Sequence, residues 1–293
     1  MEQFCLSGAL TKELLPDDRN MKGMRNQMKL TMLGTGNAMV TECYNTCFVI
    51  SDKEKHFMVD GGGGNAVLRQ LKHAGFSAGD MKEIFVTHKH MDHLLGIIWM
   101  IRVLCQQAAQ GHLADGVTIY AHDEVMDALR DMAGQLLWNK QKKWMDKAIR
   151  LVEVHDGEIR TILDKKVTFF DIHSTKEKQF GFCMELDNGE KLTCCGDEPA
   201  HPCERAYVEN SRWLLHEAFC LYAQADVFSP YEKHHATVKD ACELAETLGV
   251  ANLILYHTED GCLPERKRLY GEEGSRYFHG NLYIPDDLET ITL

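Results

Sequence analysis

The sequence predicts a single-domain α/β protein with strands packed between helices. Three observations point there. Short β-rich runs bounded by turn residues recur along the chain, stripes of helical period lie between them, and no Pro- or Gly-rich linker, repeat or low-complexity segment divides them. In order, the strand candidates are KLTMLG (29–34), TCFVIS (46–51), HFMVD (56–60), EIFVTH (83–88), VTIYAH (117–122), KVTFFDIH (166–173), FCMEL (182–186), KLTCCGD (191–197), RWLLHE (212–217) and NLILYH (252–257). Several are almost wholly apolar, as strands covered on both faces are. Helices are expected over residues 66–73, 94–107, 123–136 and 237–248. In the last of these Ala241, Leu244, Ala245 and Leu248 form an i, i+3, i+4, i+7 stripe, Thr237 can cap the start, and Gly249 sits where a glycine ends a helix. Residues 61–64 read as a turn.

Of the 293 residues, 44% are hydrophobic and 26% charged, which is enough to build a sizeable core. The net charge of −12 opposes non-specific binding to nucleic acid or to anionic membranes. Eleven cysteines occur without a CxxC pair, which reads as reduced thiols in a cytoplasmic protein. No run reaches the eighteen or so apolar residues of a membrane span. Residues 1–27 have no clean period and are expected to form an N-terminal extension, a tail or a lid, ahead of a domain over 28–293.

The densest chemistry lies in VTHKHMDHLLG (86–96), with three histidines and an aspartate in six residues. Ordinary cores do not concentrate metal-competent groups in this way. Strand candidates also end in His88, His173, Asp197, Glu217 and His257, and strand ends gathered at one sheet edge place their side chains in one cleft. With His90, Asp92 and His93 added, there are ligands for two ions. Imidazole and carboxylate without thiolate suit zinc, manganese or iron, and favour an open catalytic site over a closed structural one.

The run His88-Lys89-His90-Met91-Asp92-His93, preceded by HFMVDGGGG and followed by His173, Asp197 and His257, resembles the metallo-β-lactamase superfamily over residues 28–293. Within it the chain is most similar to the ribonuclease Z branch. LGTGNA (33–38) resembles that branch's opening signature, His216-Glu217-Ala218 its HEAT motif, and His235-Ala236-Thr237 its HST motif. The resemblance implies an αββα sandwich and a dinuclear hydrolase. It places His88, His90 and His173 on one metal and Asp92, His93 and His257 on the other, with Asp197 bridging. It also implies that Asp92 helps orient the attacking oxygen and that His235, oriented by Glu217, protonates the leaving group. His216 and His234 stand beside better candidates. Asp60 is expected to hold the glycine loop by hydrogen bonds, Met91 and residues 94–99 to pack in the core, and Lys140, Lys142, Lys143, Lys147 and Arg150 to form a solvated helix face.

Two departures narrow the substrate. Ribonuclease Z enzymes that mature transfer RNA carry a long RNA-gripping arm between the third histidine and the bridging aspartate, yet His173 and Asp197 are only 197 − 173 = 24 positions apart. Two strands and a turn at Asp187-Asn188-Gly189 fill that space. After the last ligand the chain reads His257-Thr258-Glu259-Asp260, where that branch has a serine and an arginine-tyrosine pair. The expectation is a hydrolase of a small phosphodiester holding two divalent ions, zinc first, with nucleic acid and membrane not expected as partners and a homodimer left open. A ribonuclease Z-like endonuclease and a non-catalytic, metal-stabilised scaffold are the alternatives. The sequence assigns no substrate-binding residues.

Overall fold

Alternation along the strands decides the layering. In strand β1 (Lys29–Gly34), Leu30 and Met32 join one apolar cluster while Leu33 joins another. In β2 (Cys47–Asp52), Phe48 and Ile50 likewise face away from Cys47 and Val49. A computed structural model describes residues 27–293 and carries this alternation into a four-layer αββα sandwich. All but the last residue of the expected N-terminal extension (1–27) lie outside the described residues.

The remaining strands are β3 (Lys55–Val59), β4 (Glu83–Phe85), β5 (Val117–Ala121), β6 (Ile149–Glu153), β7 (Ile159–Ile162), β8 (Lys165–Asp171), β9 (Phe180–Glu185), β10 (Lys191–Cys194), β11 (Trp213–Glu217), β12 (Asn252–Tyr256), β13 (Asn281–Tyr283) and β14 (Thr290–Thr292). One sheet runs β14-β1-β2-β3-β4-β5-β6 and the other β13-β12-β11-β10-β9-β8-β7. The pairs from β3 to β6 and from β10 to β13 are parallel, and the rest are antiparallel. Between the sheets lie Met32, Phe48, Phe57, Phe85, Phe169, Phe182, Leu215 and Ile254, all at most 1% exposed. Each such side chain contributes roughly 1.5–3 kcal/mol by leaving water. The sequence predicts helices Ala66–His73 and Asp123–Leu136 with their observed bounds, and the other two begin or end within a few residues of expectation, at Met91–Ala109 and Val238–Thr247. Thr237 caps the last one, accepting from the Asp240 amide at 3.3 Å, and Gly249 follows at φ +66°.

Parallel pairing has a consequence for the site. Parallel strands need crossovers, so their C-terminal ends emerge along one edge of each sheet, and the loops that follow meet there. The run of glycines after β3 lets a helix approach that edge backbone to backbone. The Gly61 and Gly96 amides donate to the His93 and Gly62 carbonyls, and a Cβ on Gly96 would stand 1.8 Å from the Gly61 oxygen. The first turn of helix Met91–Ala109 is thereby pressed onto the loop after β3, with Asp92 and His93 aimed into the edge.

Candidate metal centre

The loop after β4 supplies the first histidines, and its geometry is set by Asp60. The Thr87 amide and hydroxyl each donate to the Asp60 carboxylate at 2.8 Å, and His93 Nδ1 lies 2.8 Å from Asp60 Oδ2. That contact keeps the proton on Nδ1 and leaves Nε2 free to ligate. Asp60 thus orients a candidate ligand and the loop after β4, and its carboxylate bonds Thr87 and His93 in place of the glycine turn it was expected to hold. Asp60 itself sits at φ +57°, as do His173 at +55° and His257 at +56°, each just past a strand end. Such left-handed backbone costs non-glycine residues about 1–3 kcal/mol and clusters at functional sites.

Around Asp197 the nitrogen atoms converge. Asp197 Oδ2 is 3.5 Å from His88 Nε2, 3.7 Å from His93 Nε2 and 3.6 Å from His257 Nε2, while Asp92 Oδ2 is 3.3 Å from His93 Nε2 and 3.4 Å from His257 Nε2. Ligand atoms about 2.0–2.1 Å from one tetrahedral ion stand roughly 3.3–3.4 Å apart, so these spacings fit a shared cation. Two groups, His88 with His93 and Asp197, and Asp92 with His93 and His257, gather within 4.8 Å, and all their members are buried. His93 Nε2, Asp197 Oδ1 and His257 Nδ1 are buried without a hydrogen-bond partner among the described residues, which an interior does not tolerate unless something else meets them. His90 Nδ1 lies 2.9 Å from His88 Nε2 at the cleft side.

Burial works against ionising Asp92 and Asp197, but His93 and His257 beside Asp92, and His88 and His257 beside Asp197, outweigh it and hold both carboxyls far below the usual range. Burial also lowers His88 and His90, keeping both rings neutral as ligands must be. On His93 burial is outweighed by Asp92 and Asp60, which raise it well above ordinary. A dication answers the same two carboxylates that this proton answers.

Of the seven predicted ligands, His173 stands apart. Its side chain is 63% exposed, its amide donates to Asp171 at 2.7 Å, and its ring turns to solvent, where among the described residues the one carboxylate within 4.0 Å is that of Asp171. Ligation by His173 therefore requires a side-chain rotation on its loop. That loop rims the cleft through Lys176 and Glu177. His216 is structural: Nδ1 donates to the Glu217 carbonyl at 2.7 Å and Nε2 accepts from the Ala200 amide at 3.2 Å, pinning the segment after Asp197. His234 joins the cleft's rim loops through Thr175 Oγ1 at 2.8 Å.

Beside the imidazoles, Glu217 Oε2 lies 3.3 Å from His235 Nδ1, and Glu217 Oε1 accepts from the Ala236 amide. Burial pushes Glu217 up and His235 down, to about 4, leaving a neutral pair. The cleft in front has a volume of about 670 Å³ and is lined by Asp92, Asp197, His235 and His257, by the apolar Met39, Met91, Leu94, Met132 and Phe219, and by Lys89, Lys176 and Lys233. Met91, expected in the core, is 73% exposed and forms a cleft wall, because the helix starts at it and turns it outward. None of Lys140, Lys142, Lys143, Lys147 or Arg150 lines the cleft.

A family profile described as "Anti-Pycsar protein Apyc1" matches residues 28–278. The chain belongs to the Anti-Pycsar protein Apyc1 family. Among its relatives, ribonuclease Z of Pyrobaculum aerophilum is 28% identical, with 90% of this chain and 98% of the relative aligned, and ribonuclease Z of Thermococcus onnurineus is 23% identical over 78% and 84%. The fold matches the metallo-β-lactamase fold protein YhfI of Bacillus subtilis (TM-score 0.72, 18% identity, 91% and 99% covered). It also matches a diphosphatase of the PhnP family (0.68, 16%, 91% and 98%) and the human short-form tRNase Z (0.67, 20%, 90% and 98%). The metallo-β-lactamase-type αββα sandwich and the ribonuclease Z-like affinity expected from the sequence both hold.

Because Asp60 orients His93, Asp60→Ala is expected to weaken metal affinity by about 10–100-fold, as loss of a carboxylate behind a histidine ligand does. Competition against a chromophoric chelator measures this, and unchanged affinity would remove Asp60 from the site.

Proposed function

We propose that the chain is a dinuclear metal-dependent hydrolase of a small phosphodiester. The observation that carries the reading is the pair of buried ligand groups sharing His93, with Asp92 and Asp197 between the imidazoles, opening onto a cleft lined by His235, with Glu217 buried behind that ring. His88, His90, Asp92, His93, Asp197 and His257 would hold the two ions, joined by His173 on rotation. The nitrogen and oxygen donors favour zinc, with manganese or iron as substitutes. When bound, two divalent cations supply an acidified water and neutralise charge on phosphoryl oxygens.

The chain's own residues supply the rest. Lys176 and Lys233 draw an anion into the cleft, and Met39, Met91 and Met132 exclude water from it. Asp92, on a rigid helix turn, accepts a hydrogen bond from the attacking oxygen and fixes its direction. The P–O bond to the leaving group breaks as the new P–O bond forms, and His235 gives a proton to the departing oxygen while Glu217 holds its Nδ1 side. Substrate phosphate adds negative charge beside His235, which restores the basicity that burial removes.

The short connection between His173 and Asp197, filled by β9 and β10, supports a small ester over a gripped RNA, as do the net charge of −12 and a cleft wall that includes no residue of the basic run. The relatives named ribonuclease Z favour an endonuclease as the second reading. The ten cysteines of the described residues are all unpaired, which supports a reducing, cytoplasmic setting. No helix among the described residues is long and apolar enough to cross a membrane.

The test is hydrolysis of bis(p-nitrophenyl) phosphate by metal-depleted protein reloaded with zinc or manganese, beside a precursor transfer RNA. Turnover of the small ester that returns with metal, with the RNA left intact, is expected. Silence in protein carrying two ions would overturn the phosphodiesterase reading, and faster RNA cleavage would install the nuclease.

A further inference from the structure

We infer that Phe219 is a positioning residue that holds the His235 imidazole in its working plane. The inference rests on the reading of His235 as the proton donor to the leaving oxygen. The fourth position of the HEAT-like motif is occupied here by phenylalanine, His216-Glu217-Ala218-Phe219. Its ring and the His235 ring lie parallel, 4° apart in plane with centroids at 4.8 Å.

The polar contacts of His235, with Glu217 and with the Asp197 backbone, do not hold the ring's plane by themselves. Nδ1 and Glu217 Oε2 are 3.3 Å apart, and neither atom has a hydrogen-bond partner of acceptable geometry among the described residues. With contacts at the ring's edge alone, the imidazole turns about its Cβ–Cγ bond at little cost. The flat phenyl face removes the freedom, because rotating the imidazole out of plane drives its edge into the ring beside it. Phe219 is itself anchored from three sides. Its amide donates to the Ala236 carbonyl at 2.9 Å, and its carbonyl accepts from the Glu259 amide at 2.8 Å and the Tyr270 hydroxyl at 3.3 Å. Phe228 meets its ring edge-on at 6.3 Å. The platform therefore belongs to the backbone beside both His235 and His257.

Ordinary core packing explains Phe219 less well. It belongs to none of the apolar clusters that fill the layers, and it lines the cleft beside His235. The Lys233 ammonium, 5.2 Å from the ring centroid, also leans on this ring at the cleft.

The experiment compares wild type, Phe219→Leu, Phe219→Tyr and His235→Ala, metal-loaded, on bis(p-nitrophenyl) phosphate and on diphenyl phosphate. The two esters share charge and the diaryl phosphate core, but phenolate leaves less readily than p-nitrophenolate, so only diphenyl phosphate depends strongly on a proton donor. His235→Ala is expected to lower kcat for diphenyl phosphate by about 10²–10⁴-fold and to spare the nitrophenyl ester comparatively. Phe219→Leu is expected to show the same selectivity on a smaller scale, a fall of about three- to tenfold in kcat with KM little changed, and Phe219→Tyr to restore it. A second readout needs no turnover: in metal-free protein the His235 ring signals in ¹H–¹⁵N spectra broaden or average in Phe219→Leu, while those of His216 stay put. An equal loss on both esters, a change confined to KM, or unaltered His235 signals would overturn the positioning role. If His235→Ala shows no leaving-group dependence, the proton-donor reading falls instead, and unaltered His235 signals still judge Phe219 alone.

Discussion

Replacing Asp197 with alanine is expected to lower turnover of bis(p-nitrophenyl) phosphate by at least about a thousandfold and to reduce bound metal from two ions to one or none. One oxygen of Asp197 lies within 3.5–3.7 Å of His88, His93 and His257, so both ligand groups meet at this carboxylate. Removing it takes away negative charge that would hold two cations close together, and with them the charge they would bring to the phosphoryl oxygens. Loss of a single donor to a developing oxyanion already costs about 10²–10³-fold, and here an entire cation is at stake. Metal analysis run beside the kinetics separates causes. Retention of two ions together with near-normal turnover would remove Asp197 from the bridging position. The isosteric Asp197→Asn keeps the volume and loses the charge, so it is expected to behave like alanine if charge is what matters.

The largest loss of stability is expected outside the centre, at Arg266→Met, with a cost of about 3–5 kcal/mol. Arg266 is fully buried. Nη1 donates to the Thr35 and Thr258 hydroxyls at 3.0 and 2.8 Å, and Nη2 donates to the Pro285 carbonyl at 2.8 Å and to Asp286 at 3.1 Å. Asp286 is half exposed, so its share is screened and the buried hydrogen bonds carry most of the effect. Methionine fills the space and takes the shared donor away from those oxygens, of which Thr35 keeps its bond to Asp287 and the Asp286 carboxylate its pair with Lys267. At about 2–4 °C per kcal/mol the midpoint should fall by roughly 6–20 °C in calorimetry. Arg266→Lys is expected to rescue little, since one ammonium cannot span a fork of four acceptors. A fall of under about 2 °C for Arg266→Met would show that these contacts are dispensable. Because Thr258 follows His257 and its amide donates to the Thr35 carbonyl at 3.0 Å, a weaker metal site should accompany the loss.

Neither Arg266 nor Phe219 announces itself in the sequence. Each acts through partners brought together by folding: Arg266 reaches back 231 positions to Thr35, and the flat contact of Phe219 with His235 spans two loops. Strands β6, β7, β13 and β14 also escape a reading by pattern, because they are short and carry polar residues at edges. β14 exists as a strand by pairing with β1, Thr292 against Lys29. Asp60 is legible as an aspartate after a strand, but its bond to His93 depends on a helix pressed onto a glycine loop. The exposure of Met91 and His173 is likewise a property of how a helix start and a rim loop are oriented, and spacing says nothing about it.

What the sequence determined by itself was whatever backbone geometry repeats locally. The alternation that sorts β1 and β2 into two faces, the capped helix from Thr237, and the placement of His88, Asp197 and His257 just past strand ends all follow from periods of two and 3.6 residues and from turn chemistry. The tertiary structure alone decided which of those ends converge within ligand distance, which imidazole faces solvent, and which neighbours orient the rest. Ligand geometry is a matter of tenths of an ångström between residues a hundred or more positions apart, and only the packing of two sheets and their helices sets distances of that kind.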